Sequence, residues 1–461
     1  METLSVQEVV EAVGGRLVPD GAADVVTGVS TDTRTLQEGD LFFALKGEHA
    51  DGSTYVSRAI ELGAAGIVVS AESPVPDAGG CPIILVPDTL WALGDLARYY
   101  RAKFDVRVVA ITGSVGKTTT KEMAASILGR RWRVLKNEAN FNNEIGVPLT
   151  LFKLDPGHEV VVLEMAMRGL GEIKRLAQIA RPYVGVITNI GISHIERLGS
   201  QGAIAASKSE VLGELPPDGI AILNREDGYF DFLRDRFSGR VITFGSCKQA
   251  DVVGARMKLG EAGGCDFVFT VKGAAIQVSI PVLGQYNVYN ALAAGAAAHA
   301  MGLDLNTIRD GLESFTPPAM RMELVRSPLG YVVLNDAYNA SPASTLAALK
   351  TLKSLSGHRR KIAVLGDMLE LGDYAPKAHR NIGAALAENG VDILIAVGDL
   401  SRSIAEVARE SGFAESAVQW YADSLEAGAA LKKLVTGGDA VLVKGSRAMK
   451  MEEIVRLLLN E

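Results

Sequence analysis

The chain is 461 residues long, 48% hydrophobic and 22% charged, so it can bury a sizeable core and is too apolar to remain disordered. Its net charge of −7 argues against a general nucleic-acid binder, and three scattered cysteines, Cys81, Cys247 and Cys265, argue against a disulfide framework or a zinc site. The start lacks the charge and apolar pattern of a leader, and no run nears the ~18 apolar residues of a membrane span, so a cytoplasmic protein of about three domains, with no membrane insertion, is expected.

Residues 1–104 read as a small α/β unit, with strands predicted at 25–30, 40–45, 66–69 and 82–86 and helices at 5–13, 53–62 and 90–104. Residues 105–315 alternate strand-like runs (106–111, 160–163, 184–188, 220–223, 241–244) with helical segments (118–130, 172–180, 203–212). Such alternation predicts a mostly parallel sheet covered on both faces. Runs at 267–271 and 276–281 read as an antiparallel addition, followed by a helix at 287–301. Thr316-Pro317-Pro318 reads as a linker, because two prolines stop a helix and stiffen the chain. In residues 316–461 the alternation resumes, with buried strands expected at 332–335, 362–365, 393–397 and 440–443. Each ends in polar or glycine residues, and ligands gather at the carboxyl ends of such strands.

The strongest chemical signal is Thr112-Gly113-Ser114-Val115-Gly116-Lys117-Thr118-Thr119, which carries an apolar run into a helical segment. This is the layout of a phosphate-binding loop (P-loop): backbone N–H groups wrap phosphates, and the helix N-terminus adds positive potential. Lys117 would reach the terminal phosphates and Thr118 would offer its hydroxyl to Mg²⁺. Ile111 stands where the common eight-residue form has its first glycine.

Other candidates are read beside their plainer alternatives. Glu164 closes an apolar strand and suits Mg²⁺, or is a strand-end acid in solvent. His194, in the Thr188–His194 strand end, reads equally as a metal or phosphate partner and as a structural hydrogen-bonding residue. Lys208 on its own reads as a solvated lysine paired with an acid. Asn287 and Asn290 share a helical face and could cap the helix or read a base. Arg321, just past the double proline, could reach phosphate or form a surface ion pair.

In this order, over nearly the whole chain, these residues resemble the Mur ligase family of bacterial cell-wall amide ligases. Three further segments share in the resemblance: Asn140-Phe141-Asn142-Asn143-Glu144-Ile145-Gly146-Val147-Pro148, Asn335-Asp336-Ala337-Tyr338-Asn339-Ala340-Ser341-Pro342 and Gly366-Asp367-Met368-Leu369-Glu370-Leu371-Gly372. So do Thr31-Asp32-Thr33-Arg34 and Gly47-Glu48-His49-Ala50-Asp51-Gly52 near the start. The resemblance implies a three-domain α/β architecture: a UDP-binding domain over 1–104, a central P-loop domain with an ATPase-type site over 105–315, and a Rossmann-like ligase domain over 316–461. It implies ATP, Mg²⁺ (two ions), and the small-molecule substrates UDP-N-acetylmuramoyl-tripeptide and D-alanyl-D-alanine; a monomer is the default expectation.

Residue by residue, the resemblance implies that Thr33, Arg34, His49 and Ala50 hold the UDP-muramoyl end, with Asn142, Asn143 and Asn339 also on substrate. Gly113 to Thr119, Asn287, Asn290 and Arg321 would hold ATP. Thr118, Glu164, His194 and Lys208 would form the metal shell, Lys208 after carbamylation by CO₂. Lys117, Lys208, His194, Arg321 and Asp336 would carry catalysis, with Arg321 and Asp336 contributed by the third domain. The competing expectations are an amide ligase that adds glutamate to folate, and a nucleotide-dependent switch protein.

Overall fold

The computed structural model describes residues 1–18, 25–47, 51–72, 79–193, 195–259 and 263–459. The described residues form three larger sheets and one short antiparallel pair, Leu4–Ser5 with Val25–Val26.

The first large sheet runs in the spatial order Arg16–Val18, Ile83–Val86, Gly66–Ser70, Asp40–Phe43, Gly28–Ser30, with only Arg16–Val18 antiparallel. The single strand expected over 25–30 is therefore two. Thr27 turns its N–H to Gly39 O at 2.9 Å, and Gly28 lets the Asp40 carboxylate close in: a Cβ there would lie 1.9 Å from Asp40 Oδ1. The helix expected over 53–62 opens as a 3-10 turn, Gly52–Tyr55, before the α-helix Val56–Glu61. Asp51 tightens that turn by accepting from Ser53 N–H.

The central sheet has nine strands. Seven parallel strands run from Val134–Lys136 at one edge, through Val160–Glu164, Arg107–Thr112, Val184–Ile187, Ile220–Asn224 and Arg240–Gly245, to Val252–Leu259. The antiparallel hairpin Cys265–Val271 and Ala274–Ile280 closes the other side, as the sequence predicts. Arg107–Thr112, Val160–Glu164 and Val184–Ile187 are almost wholly buried and rich in β-branched residues, as parallel strands covered on both faces must be. The chain leaves Arg107–Thr112 first for one side and then for the other, so the crevice at its carboxyl end is a topological switch point. Val134–Lys136 and Val252–Leu259 are short or half-exposed, and their mixed polarity hides them from pattern reading.

The third sheet orders Glu323–Arg326, Val332–Asp336, Ala440–Lys444, Lys361–Gly366, Ile393–Val397 and Val418–Tyr421, parallel except for Glu323–Arg326. Residues 315–318 are irregular, as the double proline predicts. The helix Leu305–Glu313 before them, capped by Asp304, was not expected.

One helix, Thr89–Ala102, joins the first two units. Arg101 is buried and donates from its guanidinium to Ala180 O (2.8 Å), Phe104 O (3.0 Å) and Val106 O (2.8 Å). Next to it, Tyr100 Oη donates to Leu154 O (2.7 Å) and accepts from Glu2 N–H (2.7 Å). Arg101→Met keeps the stem but leaves three buried carbonyls without a donor. The expected loss is about 3 kcal/mol, read as a fall in urea midpoint; an unchanged midpoint would refute the clamp.

Candidate active site

The phosphate-binding loop needs its two glycines. Gly113 has φ 142° and Gly116 φ 88°. A Cβ on Gly113 would lie 1.9 Å from Thr188 Oγ1, and one on Gly116 would lie 2.2 Å from Asn290 Oδ1. The next strand end braces the loop. Thr188 Oγ1 (2.7 Å) and Asn189 Nδ2 (2.8 Å) donate to Val115 O, Asn189 Oδ1 accepts from Val115 N–H (3.0 Å), and Ser114 Oγ accepts from Gly191 N–H (2.8 Å). The helix Lys117–Leu128 that follows has no side-chain cap, so its first N–H groups face the cavity as an anion site.

Lys117 folds back over the loop and donates to Gly113 O (2.9 Å) and Ser114 O (3.4 Å). Thr118 Oγ1 donates to Glu164 Oε2 (2.8 Å), and Asn142 Nδ2 donates to Glu164 Oε1 (2.7 Å). Lys208 is 1% exposed on the helix Gln201–Gly213. The solvated, acid-paired reading of Lys208 is thus corrected. Glu210, the neighbouring acid, is engaged instead by the N–H groups of Gly171 (2.8 Å) and Lys174 (3.0 Å). Burial, and then the positive charge of Lys117, hold the Lys208 amine well below a lysine's ordinary pKa, against the pull of Glu164. Lys117 is lowered for the same first reason, with Arg321 adding to it and Glu164 opposing.

A cavity of about 480 Å³ opens over the loop, Lys117, Thr118 and Glu164, its other wall supplied by the third unit. Arg321, Asp336, Asn339, Lys444, Arg447 and residues 369–371 line it alongside the loop, so the third unit already meets the second. Arg321 lies over the Tyr338 ring, 4.1 Å from its centroid. Asp336 and Lys444 end paired strands, and Lys444 Nζ donates to Asp336 Oδ2 (2.5 Å) and Asn339 O (2.9 Å). Asn339 Oδ1 accepts from Ala340 N–H at 2.9 Å. The segment 368–371 is tied down from behind. Met368 N–H donates to His379 Nε2 (2.9 Å), and His379 Nδ1–H donates to Ala375 O (2.7 Å), which fixes a neutral ring.

Asn287 and Asn290 are brought in at the loop's own end. Asn290 Nδ2 donates to Asn287 Oδ1 (2.8 Å), Asn287 Nδ2 donates to Leu283 O (2.6 Å), and Asn290 Oδ1 packs on Gly116. Asn143 Oδ1 accepts from Ile145 N–H and Gly146 N–H at the start of the helix Gly146–Leu151. Thr33 and Arg34 sit in an exposed turn and do not line this cavity; Arg34 pairs with Asp32 at 2.6 Å. His49, Ala50 and His194 lie outside the described residues. Lys444, Arg447 and His379 were not singled out from sequence. Only the polar ending of the strand at 440–444 pointed towards one of them.

The donor set at Glu164 fits Mg²⁺: a hydroxyl and a carboxylate, both hard oxygen donors, adjoin a cationic cradle for phosphates. Among the described residues no group of three His, Cys, Asp or Glu side chains stands ready for a metal, so an ion here would depend on phosphate oxygens as further ligands.

The Mur ligase middle domain matches residues 111–298. The domain described as "Mur ligase, glutamate ligase domain" matches 320–447, and "Mur ligase family, catalytic domain" matches 25–101. The UDP-N-acetylmuramoyl-tripeptide–D-alanyl-D-alanine ligase of Bacillus subtilis is 40% identical over 99% of this chain and 98% of its own. MurF from Acinetobacter baumannii superposes with a TM-score of 0.92 at 31% identity, each chain covered in full. MurF ligase from Thermotoga maritima, in complex with ADP, gives 0.84 at 27% identity over 94% of this chain and 97% of that one. The chain belongs to the Mur ligase family.

Gly116→Ala places a methyl against Asn290 and forces φ 88° on an L-residue. With about 1–3 kcal/mol of strain, the thermal midpoint should fall and nucleotide affinity should drop roughly tenfold or more; unaltered affinity would contradict the loop geometry. His379 tests the rear support. Burial lowers its folded pKa below the ordinary 6.5, so the stability it contributes is present above that value and is lost as pH falls through the lowered one. Wild type should therefore lose more thermal stability than His379→Gln between pH ~7.5 and ~5. Parallel losses would contradict the neutral-ring assignment.

Proposed function

We propose that the protein joins D-alanyl-D-alanine to UDP-N-acetylmuramoyl-tripeptide in an ATP-dependent amide ligation, giving the UDP-muramoyl-pentapeptide precursor of peptidoglycan, ADP and phosphate. The observation that carries the reading is one cavity in which an uncapped phosphate loop and Lys117, the Thr118–Glu164 pair and a wall from the third unit face each other.

A carboxylate is a poor electrophile, so it must first be activated. The peptide's terminal carboxylate oxygen bonds the γ-phosphorus of ATP, the bond to the bridging oxygen breaks, and ADP departs, leaving an acyl phosphate. The dipeptide's free amine then attacks the acyl carbon, loses a proton, and phosphate leaves as the amide forms. The loop's N–H groups and Lys117 hold the β- and γ-phosphates and balance the charge that develops there. Arg321 adds a cation from the opposite wall, while Lys444 holds Asp336 in place. Thr118 and Glu164 would hold Mg²⁺, which supplies charge neutralisation at the transferring phosphoryl group.

Lys208 fits the carbamate reading. Its buried amine, easier to deprotonate than an ordinary lysine's, would lose one proton, bond the carbon of CO₂ and lose a second, so that a carbamate oxygen would stand beside Glu164 to hold a second Mg²⁺. Asn287 and Asn290 support the nucleotide by bracing Gly116, and Thr33, Arg34, His49 and Ala50 remain assigned to the UDP end. We take the monomer as the working unit. No described helix is long and apolar enough to cross a membrane, and we place the reaction in the cytoplasm.

The deciding experiment measures phosphate release from ATP with UDP-muramoyl-tripeptide, with and without the dipeptide, and weighs the product. Dipeptide-dependent release with a gain of one dipeptide less water is expected. Release with folate and glutamate instead, or nucleotide binding without amide formation, would overturn the reading. Lys117→Ala should lower turnover on the order of 10²–10³-fold or more; full activity would refute the phosphate-loop role. Isotope-labelled CO₂ should give a carbamate carbonyl signal that Lys208→Arg abolishes.

A further inference from the structure

Asn137 belongs to no motif, yet its buried side chain meets the strand end that carries Glu164. It is 1% exposed and follows the edge strand Val134–Lys136 directly. Its Oδ1 accepts from Glu164 N–H at 2.9 Å, and its Nδ2 donates both to Glu164 O (2.9 Å) and to Phe141 O (2.8 Å). One amide thus grips the backbone of Glu164 on both sides and the backbone next to Asn142. The orientation of the amide is fixed by its partners, because an N–H must meet oxygen and two carbonyls must meet N–H. Only a side chain that accepts and donates at this reach serves all three.

Two further contacts extend the grip. Lys121 Nζ, one turn along the helix from Lys117, donates to Asn137 O at 2.5 Å. The loop that closes around the amide includes Ala139 in the left-handed region at φ 46°, and Ala166 N–H donates to Asn142 O at 2.9 Å. The phosphate-loop helix, the segment carrying Asn142 and the strand carrying Glu164 therefore meet at Asn137. Glu164 is itself held at Oε1 by Asn142 and at Oε2 by Thr118.

We propose that Asn137 is a positioning residue that sets the Glu164 carboxylate for metal–nucleotide binding, acting through the backbone of Glu164 and Phe141 without touching nucleotide. The inference rests on Glu164 serving a metal ion. It concerns nucleotide binding alone, so it stands or falls separately from the identity of the peptide substrates.

The test is binding of a fluorescent ADP analogue to the full chain, in EDTA and across a Mg²⁺ titration, with thermal midpoints recorded in parallel. Wild type should bind more tightly as Mg²⁺ is added. Asn137→Asp keeps the acceptor but sets a carboxylate against two carbonyls; it should need roughly 10–100-fold more Mg²⁺ for the same tightening, with affinity in EDTA unchanged. Lys121→Met cuts the grip at its other end and should move the Mg²⁺ requirement in the same direction; it carries the test should Asn137→Asp fold poorly. In a Glu164→Gln background, Asn137→Asp should add nothing.

An unshifted Mg²⁺ requirement in the folded variants would overturn the proposal. So would a loss of affinity equal in EDTA and in Mg²⁺, which is the mark of a merely structural role, and so would a wild type indifferent to Mg²⁺. A wild type that shows the Mg²⁺ linkage but makes no amide would sink the ligase reading and leave Asn137 standing.

Discussion

Cations crowded around one cavity with too few anions to match them are the constraint around which this molecule is arranged. Lys117 and Lys208 converge on one carboxylate, Glu164, with Arg321 close enough to Lys117 to add to the excess. In a medium of low effective dielectric such a group is costly. The fold lowers the cost by making Lys208 easier to deprotonate, by turning Lys117 onto the carbonyls of its own loop and by laying Arg321 on an aromatic face. Polyphosphate would relieve the excess directly. The positive charge is thus met by few ion pairs, which leaves it an unmet need.

The surrounding fold keeps that need unmet. Side chains that could quench it are already engaged: Asp336 by Lys444, Glu210 by the N–H groups of the next helix, Asn142 by Glu164 itself. The glycine loop adds no side chain of its own at Gly113 or Gly116, where Thr188 and Asn290 fill the space instead. Two sheets contribute, each at the carboxyl ends of parallel strands, which is where the backbone of such sheets leaves a crevice.

What is legible in the sequence is what is local. The apolar strands of the central and third sheets read correctly because burial on both faces leaves continuous runs of Val, Ile and Leu. The phosphate loop reads correctly because its glycines, lysine and threonine are adjacent in the chain. Edge strands such as Glu323–Arg326 and Val418–Tyr421 escape because half-exposed strands dilute the pattern. The site's connections escape for a different reason. Asp336 and Lys444 are 108 residues apart, and Thr118 and Glu164 are 46 apart, so no window contains either pair. Lys208 is the sharpest case: its neighbours suggest solvent, and only the packing of its helix buries it. Asn142 donates to Glu164 22 residues away, a contact that the sequence does not display. The resemblance to a family supplied the roles that pattern alone could not.

The helix Thr89–Ala102 has a consequence for what counts as a unit of this protein. Tyr99 donates to Glu8 and Tyr100 accepts from Glu2 N–H in the first unit, while Trp91 O accepts from Arg175, and Tyr100 and Arg101 donate to Leu154 O, Ala180 O and Val106 O in the second. Chain order places it in one domain; its hydrogen bonds divide it between two. The first and third sheets each keep an apolar cluster of their own on one face, around Phe42, Ile67 and Ile83 in the one and Val333, Val364, Ile395 and Val443 in the other, while their opposite faces share one continuous cluster with the central unit. Local opening follows such boundaries of cooperativity rather than boundaries drawn along the chain. The first two units are therefore coupled in unfolding, and amide protons on the shared helix report the stability of both.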